Sequence, residues 1–422
     1  MANKIKDFWQ SISLHDRKLI RWTAIVCYTI LMVSLILLFF FSRHLKPTEE
    51  LPDTTAKHEA PKEQPPVELP NPPQGSQELM AGLDSFDTHA HRELATIYAE
   101  REDFDKSILH ARRIAPWLEE DLEFQGQIGQ TFLKAGNPGE AIPHLEKALK
   151  LGGKTPELLA DLALAKYRAV NVDSGITAIR AAEVAFPDNP LLMTHEAAMF
   201  GEAKSHGDVA ETLFHKLLQK FPKYPEAHYQ YGRFLMNQGN FGSSLKEIQQ
   251  ALSEDALDPR FHARLGMVYF HLNRDNDAER AYRTALAMNP RDYNTWFNLG
   301  ELNLSLANET DRPALFAQKT REALEDYLTT LANHPDHPEA HYRVGVILST
   351  NKEYREAIRH LQMALQSDPY SVRVLVQLAT AWEALGDQVK AWDYAQQAYE
   401  IDPFNILVAD QYRRLKQNGT KG

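Results

Sequence analysis

The chain has 422 residues, 43% hydrophobic and 24% charged, enough for two or three compact domains or one elongated array. Its formal net charge is −11, and residues 1–44 hold six basic against two acidic side chains, which leaves the remainder at −15. A body this acidic repels phosphate, which argues against nucleic acid as a partner and makes an anionic lipid surface a poor match.

Residues 23–41 read TAIVCYTILMVSLILLFFF, 19 residues without a charge. A helix of that length spans roughly 28 Å, close to the hydrocarbon thickness of a bilayer. No small-residue cleavage site follows, since Phe39, Phe40 and Phe41 run directly into Ser42 and Arg43. The expectation is one uncleaved transmembrane helix after a cytoplasmic segment at 1–22. Five basic residues precede it, whereas Arg43, Lys46 and Lys57 after it are mixed with Glu49, Glu50, Asp53 and Glu59. That bias places the N-terminus in the cytoplasm and the body in a periplasmic or other extracytoplasmic space. The one cysteine, Cys27, lies inside this segment, so the body has no intrachain disulfide, thiolate nucleophile or cysteine zinc site.

From 42 to 87 the composition changes. Pro47, Pro52, Pro61, Pro65, Pro66, Pro70, Pro72 and Pro73 are interspersed with Glu and Lys. So few apolar groups cannot offset the entropy of ordering, and proline favours an extended spacer.

A repeat begins near residue 88. PEAHYQYGRFLMNQGNFGSSLKEIQQAL at 225–252 and PEAHYRVGVILSTNKEYREAIRHLQMAL at 338–365 share their opening, a glycine at the eighth place and a closing Ala-Leu. Counted in this register, repeats start near 88, 122, 156, 191, 225, 259, 293, 338 and 372, with six spacings of 34, one of 35 and one of 45. The eighth place is Ala95, Gly129, Ala163, Ala198, Gly232, Gly266, Gly300, Gly345 and Ala379. The twentieth is Ser107, Ala141, Gly175, Ala210, Ser244, Ala278, Ala323, Ala357 and Ala391. Two antiparallel helices approach closely only where the crossing side chains are small. Apolar residues flank these sites on one helical face: Leu94, Ile128 and Leu299 one residue before, Tyr98, Phe132, Tyr269 and Trp382 three after. Pro187, Pro222, Pro290, Pro335, Pro369 and Pro403 close successive repeats, and Gly136, Gly239 and Gly386 fit the turns within them. In repeat 4, Gly201 stands where an aromatic is expected, and a one-residue shift would put Phe200 there.

This pattern resembles the tetratricopeptide repeat, a helix-turn-helix with small residues at these two sites, aromatics around them and proline at its close. The resemblance implies an all-α, right-handed α-solenoid of about nine hairpins at 88–404, followed by a capping helix and tail at 405–422. An insertion around 308–318 in repeat 7 is expected as a loop or an extended hairpin tip. Asn308-Glu-Thr and Asn418-Gly-Thr match the glycosylation triplet.

By the same resemblance, the first helix of each unit lines a concave groove that grips peptides or protein segments. Arg260 and Arg264 match two basic places of a carboxylate-binding unit, but Gln230 stands where the preceding unit would carry Asn, and the Lys and Asn expected one repeat before that are absent at His195 and Met199. The candidate groove is therefore Tyr229, Arg233, Arg260, Arg264, Phe297 and Asn298. His228, His262 and His341 share the fourth place with Trp296, which marks packing rather than metal binding. No HExxH, Walker, nucleophile-elbow or dinucleotide motif occurs, so no catalytic residue, metal, cofactor or small-molecule substrate is expected. The expected function is a membrane-anchored scaffold that binds protein partners in an envelope-associated assembly. The alternative is a chaperone-like receptor for exported unfolded chains such as apocytochromes.

Overall fold

The structure, a computed structural model, describes residues 88–419 apart from 102, 204 and 205. The expected N-terminal segment, transmembrane helix and proline-rich spacer lie outside the described residues. Within them are nineteen α-helices, one 3-10 turn and no strand. None of these helices is long and apolar enough to cross a membrane.

The helices form nine consecutive hairpins and a closing helix. Unit 1 is α1 (Thr88–Glu100) with α2 (Phe104–Ile114), and unit 2 is α3 (Leu122–Lys134) with α4 (Pro138–Lys150). Unit 3 is α5 (Pro156–Ala169) with α6 (Val172–Ala185), and unit 4 is α7 (Pro190–Glu202) with α8 (Gly207–Lys220). Unit 5 is α9 (Pro225–Asn237) with α10 (Phe241–Glu254), and unit 6 is α11 (Pro259–His271) with α12 (Asp275–Met288). Unit 7 is α13 (Tyr293–Asn308) with α14 (Pro313–Asn333), and unit 8 is α15 (Pro338–Thr350) with α16 (Tyr354–Ser367). Unit 9 is α17 (Val372–Ala384) with α18 (Gln388–Ile401), and α19 (Ile406–Gly419) closes the array. Each second helix packs on its own first helix and on the next first helix, so neighbours share a continuous core.

The eighth-place residues meet one recurring partner, the twenty-fourth place of the same unit. A Cβ built on Gly129 would stand 2.7 Å from Leu145, on Gly232 2.6 Å from Ile248, and on Gly266 2.5 Å from Tyr282. Gly300 faces Tyr327 at 2.7 Å and Gly345 faces Leu361 at 2.6 Å. The glycine is thus the space a large buried side chain occupies. At the two ends of the array the pair is small on both sides, Ala95 with Ala111 and Ala379 with Ala395. The twentieth place adds a polar tie where it is serine. Ser107 donates its hydroxyl hydrogen to the Ala95 carbonyl at 2.7 Å, and Ser244 donates to the Gly232 carbonyl at 2.7 Å.

The structure corrects the register of unit 4. Its first helix starts at Pro190, so Ala197, fully buried, takes the eighth place rather than Ala198, and Phe200 takes the aromatic place. The extra residue sits in the turn between α7 and α8, which is why Ala210 keeps its expected position in the second helix. Five of the within-unit turns use left-handed backbone at one fixed place. Gly136, Gly239 and Gly386 adopt φ of 79°, 75° and 84° there, and Asn273 and Lys352 take the same conformation in units 6 and 8.

The insertion in repeat 7 extends the hairpin instead of forming a long loop. α13 has 16 residues and α14 has 21, against 13 and 14 in unit 6. Where they meet, the aromatic place is Asn303, buried, and its Nδ2 donates to Asp326 at 2.8 Å. Lys319 donates to the Asn303 side-chain oxygen at 3.0 Å. Burial pushes the Asp326 carboxyl up to about 7 despite the Asn303 hydrogen bond.

α19 closes the array as a single helix. It buries Val408, Ala409 and Leu415, Gln411 donates to Thr380 at 3.0 Å, and Tyr412 stacks on Tyr399.

Two outcomes follow from this packing. Gly266→Ala drives a methyl into the Tyr282 ring and costs about 1–3 kcal/mol in urea unfolding, whereas Gly242→Ala, with no atom within 4 Å, leaves the midpoint unchanged or raises it. Asp326→Asn keeps the acceptor for Asn303 and removes a buried charge. Because the folded pKa is raised, the wild-type contribution is intact below the ordinary carboxylate value and is lost as pH rises through about 7. The variant is therefore more stable at pH 8 by on the order of 1–2 kcal/mol, and the gap closes toward pH 4.

Candidate functional site

The first-helix face carries a polar row. With unit 4 in its corrected register, the sixth place is Glu93, Gln127, Asp161, His195, Gln230, Arg264, Asn298, Arg343 and Gln377. Every one of these is polar, on a helix whose other faces are covered by neighbours.

Ion pairs tie successive first helices together across this face. Arg92 reaches Asp121 and Glu123 at 2.7 and 3.0 Å, joining unit 1 to unit 2. Arg233 of α9 reaches Glu202 of α7 at 3.4 Å, and Arg260 of α11 reaches Glu226 of α9 at 2.9 Å. Arg343 of α15 reaches Glu301 of α13 at 2.8 Å, and Tyr327 donates to the same Glu301 at 2.6 Å. Arg373 pairs with Glu339, and Arg414 with Glu383. Between α3 and α5 the link is Gln130 donating to Asp161 at 2.7 Å. Half-exposed pairs of this kind contribute only about 0–1 kcal/mol each, so their main effect is to fix spacing and to occupy the polar groups of the face.

The six candidate residues divide under this description. Tyr229, Arg260 and Arg264 come together. The Tyr229 ring lies 5.0 Å from Phe261, and the guanidinium groups of Arg260 and Arg264 lie 5.4 and 5.9 Å from it. Tyr229 is only 8% exposed, so the expectation that it offers apolar contact area is corrected: phenylalanine and two arginines cover it. Arg260 is held by Asp258 and Glu226. Burial by itself would lower its pKa, and these two carboxylates raise it above the ordinary arginine value. Arg233 is held by Gln230 at 2.6 Å and by Glu202. Phe297 faces the other way, toward Tyr327 and the His337 ring at 5.5 and 5.0 Å.

Arg264 and Asn298 are different. Arg264 forms no ion pair among the described residues. One terminal nitrogen approaches the Met267 sulfur at 3.4 Å, and its Nε is buried without a hydrogen bond. Asn298, at the same place one repeat on, has no side-chain hydrogen bond among the described residues. No ion pair among the described residues bridges α11 and α13. The row of ion pairs between first helices is interrupted here, as it also is between α5 and α7, and here the gap lies beside a half-buried guanidinium without an ion pair and an amide without a side-chain hydrogen bond. Sequence spacing named both residues but could not separate them from Arg260 and Arg233. The signal was available in Glu226, Glu202 and Glu301, the partners that occupy the other arginines.

The fourth-place rings serve the turns. His228, His262, Trp296 and His341 donate a ring N–H to the carbonyls of Pro222, Ala256, Pro290 and Pro335 at 2.8–3.0 Å. Among the described residues there is no group of three or more His, Cys, Asp or Glu side chains placed to hold a metal ion.

Sequence profiles described as tetratricopeptide repeat match residues 127–190, 205–268, 259–292, 276–311, 314–372 and 351–406, together more than half of the chain. The chain belongs to the tetratricopeptide-repeat family, whose arrays are scaffolds for protein–protein interaction. It is 25% identical to superkiller complex protein 3 of Mus musculus over 272 residues, 63% of this chain and 17% of that protein. It is 21% identical to the BBSome complex member BBS4 homolog of Drosophila melanogaster over 166 residues, 39% of this chain and 34% of that protein. The chain thus spans about a sixth to a third of these relatives' lengths. Among solved structures, the Cut9–Hcn1 tetramer of the APC/C superposes with a TM-score of 0.52 at 13% identity, covering 81% of this chain and 71% of that one, a likeness of fold.

If the arginines divide as described, Arg260→Ala removes a carboxylate-bound side chain and lowers the thermal midpoint slightly, at a cost of about 0–1 kcal/mol. Arg264→Ala removes an unsatisfied one and leaves the midpoint unchanged or raised, as read by circular dichroism melts of the two variants.

Proposed function

We propose that this chain is a membrane-anchored, non-catalytic adaptor. Residues 23–41 cross the inner membrane once with the N-terminus in the cytoplasm. The proline-rich segment at 42–87 spaces the repeat array from the bilayer. The array holds a protein partner of an envelope-associated assembly on its first-helix face. The reading of the anchor is supported by the uncharged length of 23–41 and the basic excess before it.

The observation that carries the binding reading is the interruption between α11 and α13. Elsewhere on the face the arginines Arg92, Arg233, Arg260, Arg343, Arg373 and Arg414 are held by carboxylates across the repeat boundary. There, a guanidinium without an ion pair and an amide without a side-chain hydrogen bond stand at one repeat spacing, with Met267 beside the guanidinium. An extended segment of a partner protein presents carbonyls and carboxylates that satisfy both. The terminal guanidinium nitrogens carry no carboxylate, so a partner's carboxylate adds a hydrogen bond to a charged group, of about 1.5–3 kcal/mol.

Two measurements test this reading. Arg264→Ala with Asn298→Ala weakens recovery of the partner in crosslinked membranes by about tenfold, a loss of the order of one to two hydrogen bonds to a charged group, while the circular dichroism spectrum is unchanged. Unchanged recovery moves the binding surface elsewhere. A reporter fused after Gly422 is active only outside the cytoplasm; cytoplasmic activity overturns the topology. Capture of short unrelated peptides with fast exchange, in place of a stable complex, would favour a chaperone-like receptor.

A further inference from the structure

The start of α15 departs from the other first helices at its capping residue, and behind the cap it has a histidine pair of the kind that His91 and His110 form in unit 1. The residue before a first helix caps it in most units. Asp121 accepts from the Phe124 amide at 2.9 Å, Thr155 from Leu158 at 3.2 Å, and Asn189 from Leu191 at 3.0 Å. Asp258 accepts from Arg260 at 2.8 Å and Asp292 from Asn294 at 3.1 Å. In unit 8 this residue is His337, whose Nδ1 accepts the Ala340 amide at 3.1 Å. A ring nitrogen accepts only while it carries no proton. His337 is therefore a cap that acid removes, in a position where Asp, Asn and Thr remain acceptors at mildly acidic pH.

A second dependence on neutral imidazole stands one turn further on. His341 donates its Nε2–H to the Pro335 carbonyl at 2.8 Å, which leaves its Nδ1 to accept from the Nδ1–H of His360 at 2.9 Å. The pair holds one proton between the two facing nitrogens. Charging His360 places a cation in this half-buried contact, with ring centroids 5.1 Å apart and its own helix's Glu356 already paired with Arg359.

We propose that the beginning of α15 is an acid-responsive joint between units 7 and 8, in which proton uptake by His337 releases the helix cap and proton uptake by His360 loosens its contact with His341, separating α15 from its neighbours. The groups facing these rings supply little compensation. Toward His337 stand Tyr293 and Phe297 of α13, His334 at the end of α14, and Glu339 and His341 of α15. Glu339 is already paired with Arg373. Toward His360 stand His341 of α15 and its own helix's Glu356 and Arg359, which pair with each other. Burial lowers the pKa of both His337 and His360, and the neighbouring histidines lower it further. With folded pKa values below the ordinary histidine value, the stabilising contribution is complete above that value and is lost as pH falls below it. The joint is closed at neutral pH and opens on acidification.

Unit 5 supplies an internal control. His228 occupies the same place as His341, but its Nδ1 meets the Glu247 carboxylate at 2.7 Å. Burial lowers the His228 pKa, yet the Glu247 carboxylate and the Pro222 carbonyl hold it above the ordinary value. Acid therefore leaves this contact intact over the range that opens unit 8. The opening bears on the first-helix face, because His337 stacks on Phe297 and Arg343 of α15 reaches Glu301 of α13.

Hydrogen–deuterium exchange of the full chain, at neutral pH and at about pH 5.5, tests the joint once rates are corrected for intrinsic chemistry. Amides in the first turn of α15 exchange about fivefold faster at the lower pH, the change expected when a helix cap is lost, while the first turns of α9 and α11 do not. His337→Asp, the residue units 2, 6 and 7 carry, abolishes most of the response in that turn, and His360→Gln reduces what remains. An equal acid response in α9, α11 and α15, or a response unaltered by His337→Asp, overturns the joint.

Discussion

Every unit of this array depends on the close approach of its two helices, and that approach depends on one side chain fitting the space another lacks. At five units a glycine on the first helix faces Leu, Ile or Tyr on the second, at distances that leave no room for a methyl group. Tyr282 and Tyr327 show why the exchange is favourable. Their rings are wholly buried inside their own hairpins, so a residue with no side chain of its own lets its partner bury a large one. The fit fixes the hairpin angle, and the hairpin angle fixes which face of each first helix meets the next. The polar row at the sixth place is a consequence of that geometry, since the remaining faces are taken up by packing.

The same repetition shapes the electrostatics. A residue pairs with its counterpart one repeat away, as Arg260 does with Glu226 and Arg373 with Glu339, because a 34-residue period brings equivalent places into register along the face. Such a ladder hides charge as it forms. What distinguishes one stretch of the face from another is therefore where pairing fails. Between α11 and α13 the counterpart of Arg264 is Asn298, which cannot neutralise it, and the guanidinium is left half-buried. At the start of α15 a histidine stands where other units carry a capping Asp, Asn or Thr. Both departures are single residues in otherwise repeated places, and both lie on or beside the first-helix face.

Much of this was legible in the sequence. The small eighth and twentieth places recur with the period, so the number of hairpins and their order followed from spacing. What spacing could not show was the partner. The large twenty-fourth-place residues vary between Leu, Ile, Phe and Tyr, and only their contact with the small site makes them a row. The one-residue shift in unit 4 was visible as Gly201 beside Phe200, but placing it in the α7–α8 turn required the start of α7 at Pro190. The insertion at 308–318 contains Pro313, a residue that opens helices as readily as it ends them, and the structure uses it as the first residue of a 21-residue helix. Tyr229 reads as a groove residue from its place and is buried because two arginines and Phe261 close over it. Arginines are indistinguishable in sequence until their carboxylate partners are located across the repeat boundary.

The binding face is tested most directly by site-specific photo-crosslinking in intact membranes. A crosslinking residue placed at position 298 on α13 is compared with one at Val184, which is 82% exposed on the second helix of unit 3. Crosslinking of one discrete protein from position 298, and none from position 184, is the predicted result. Crosslinks of equal strength from both positions, or from 184 alone, would contradict a partner held on the first-helix face.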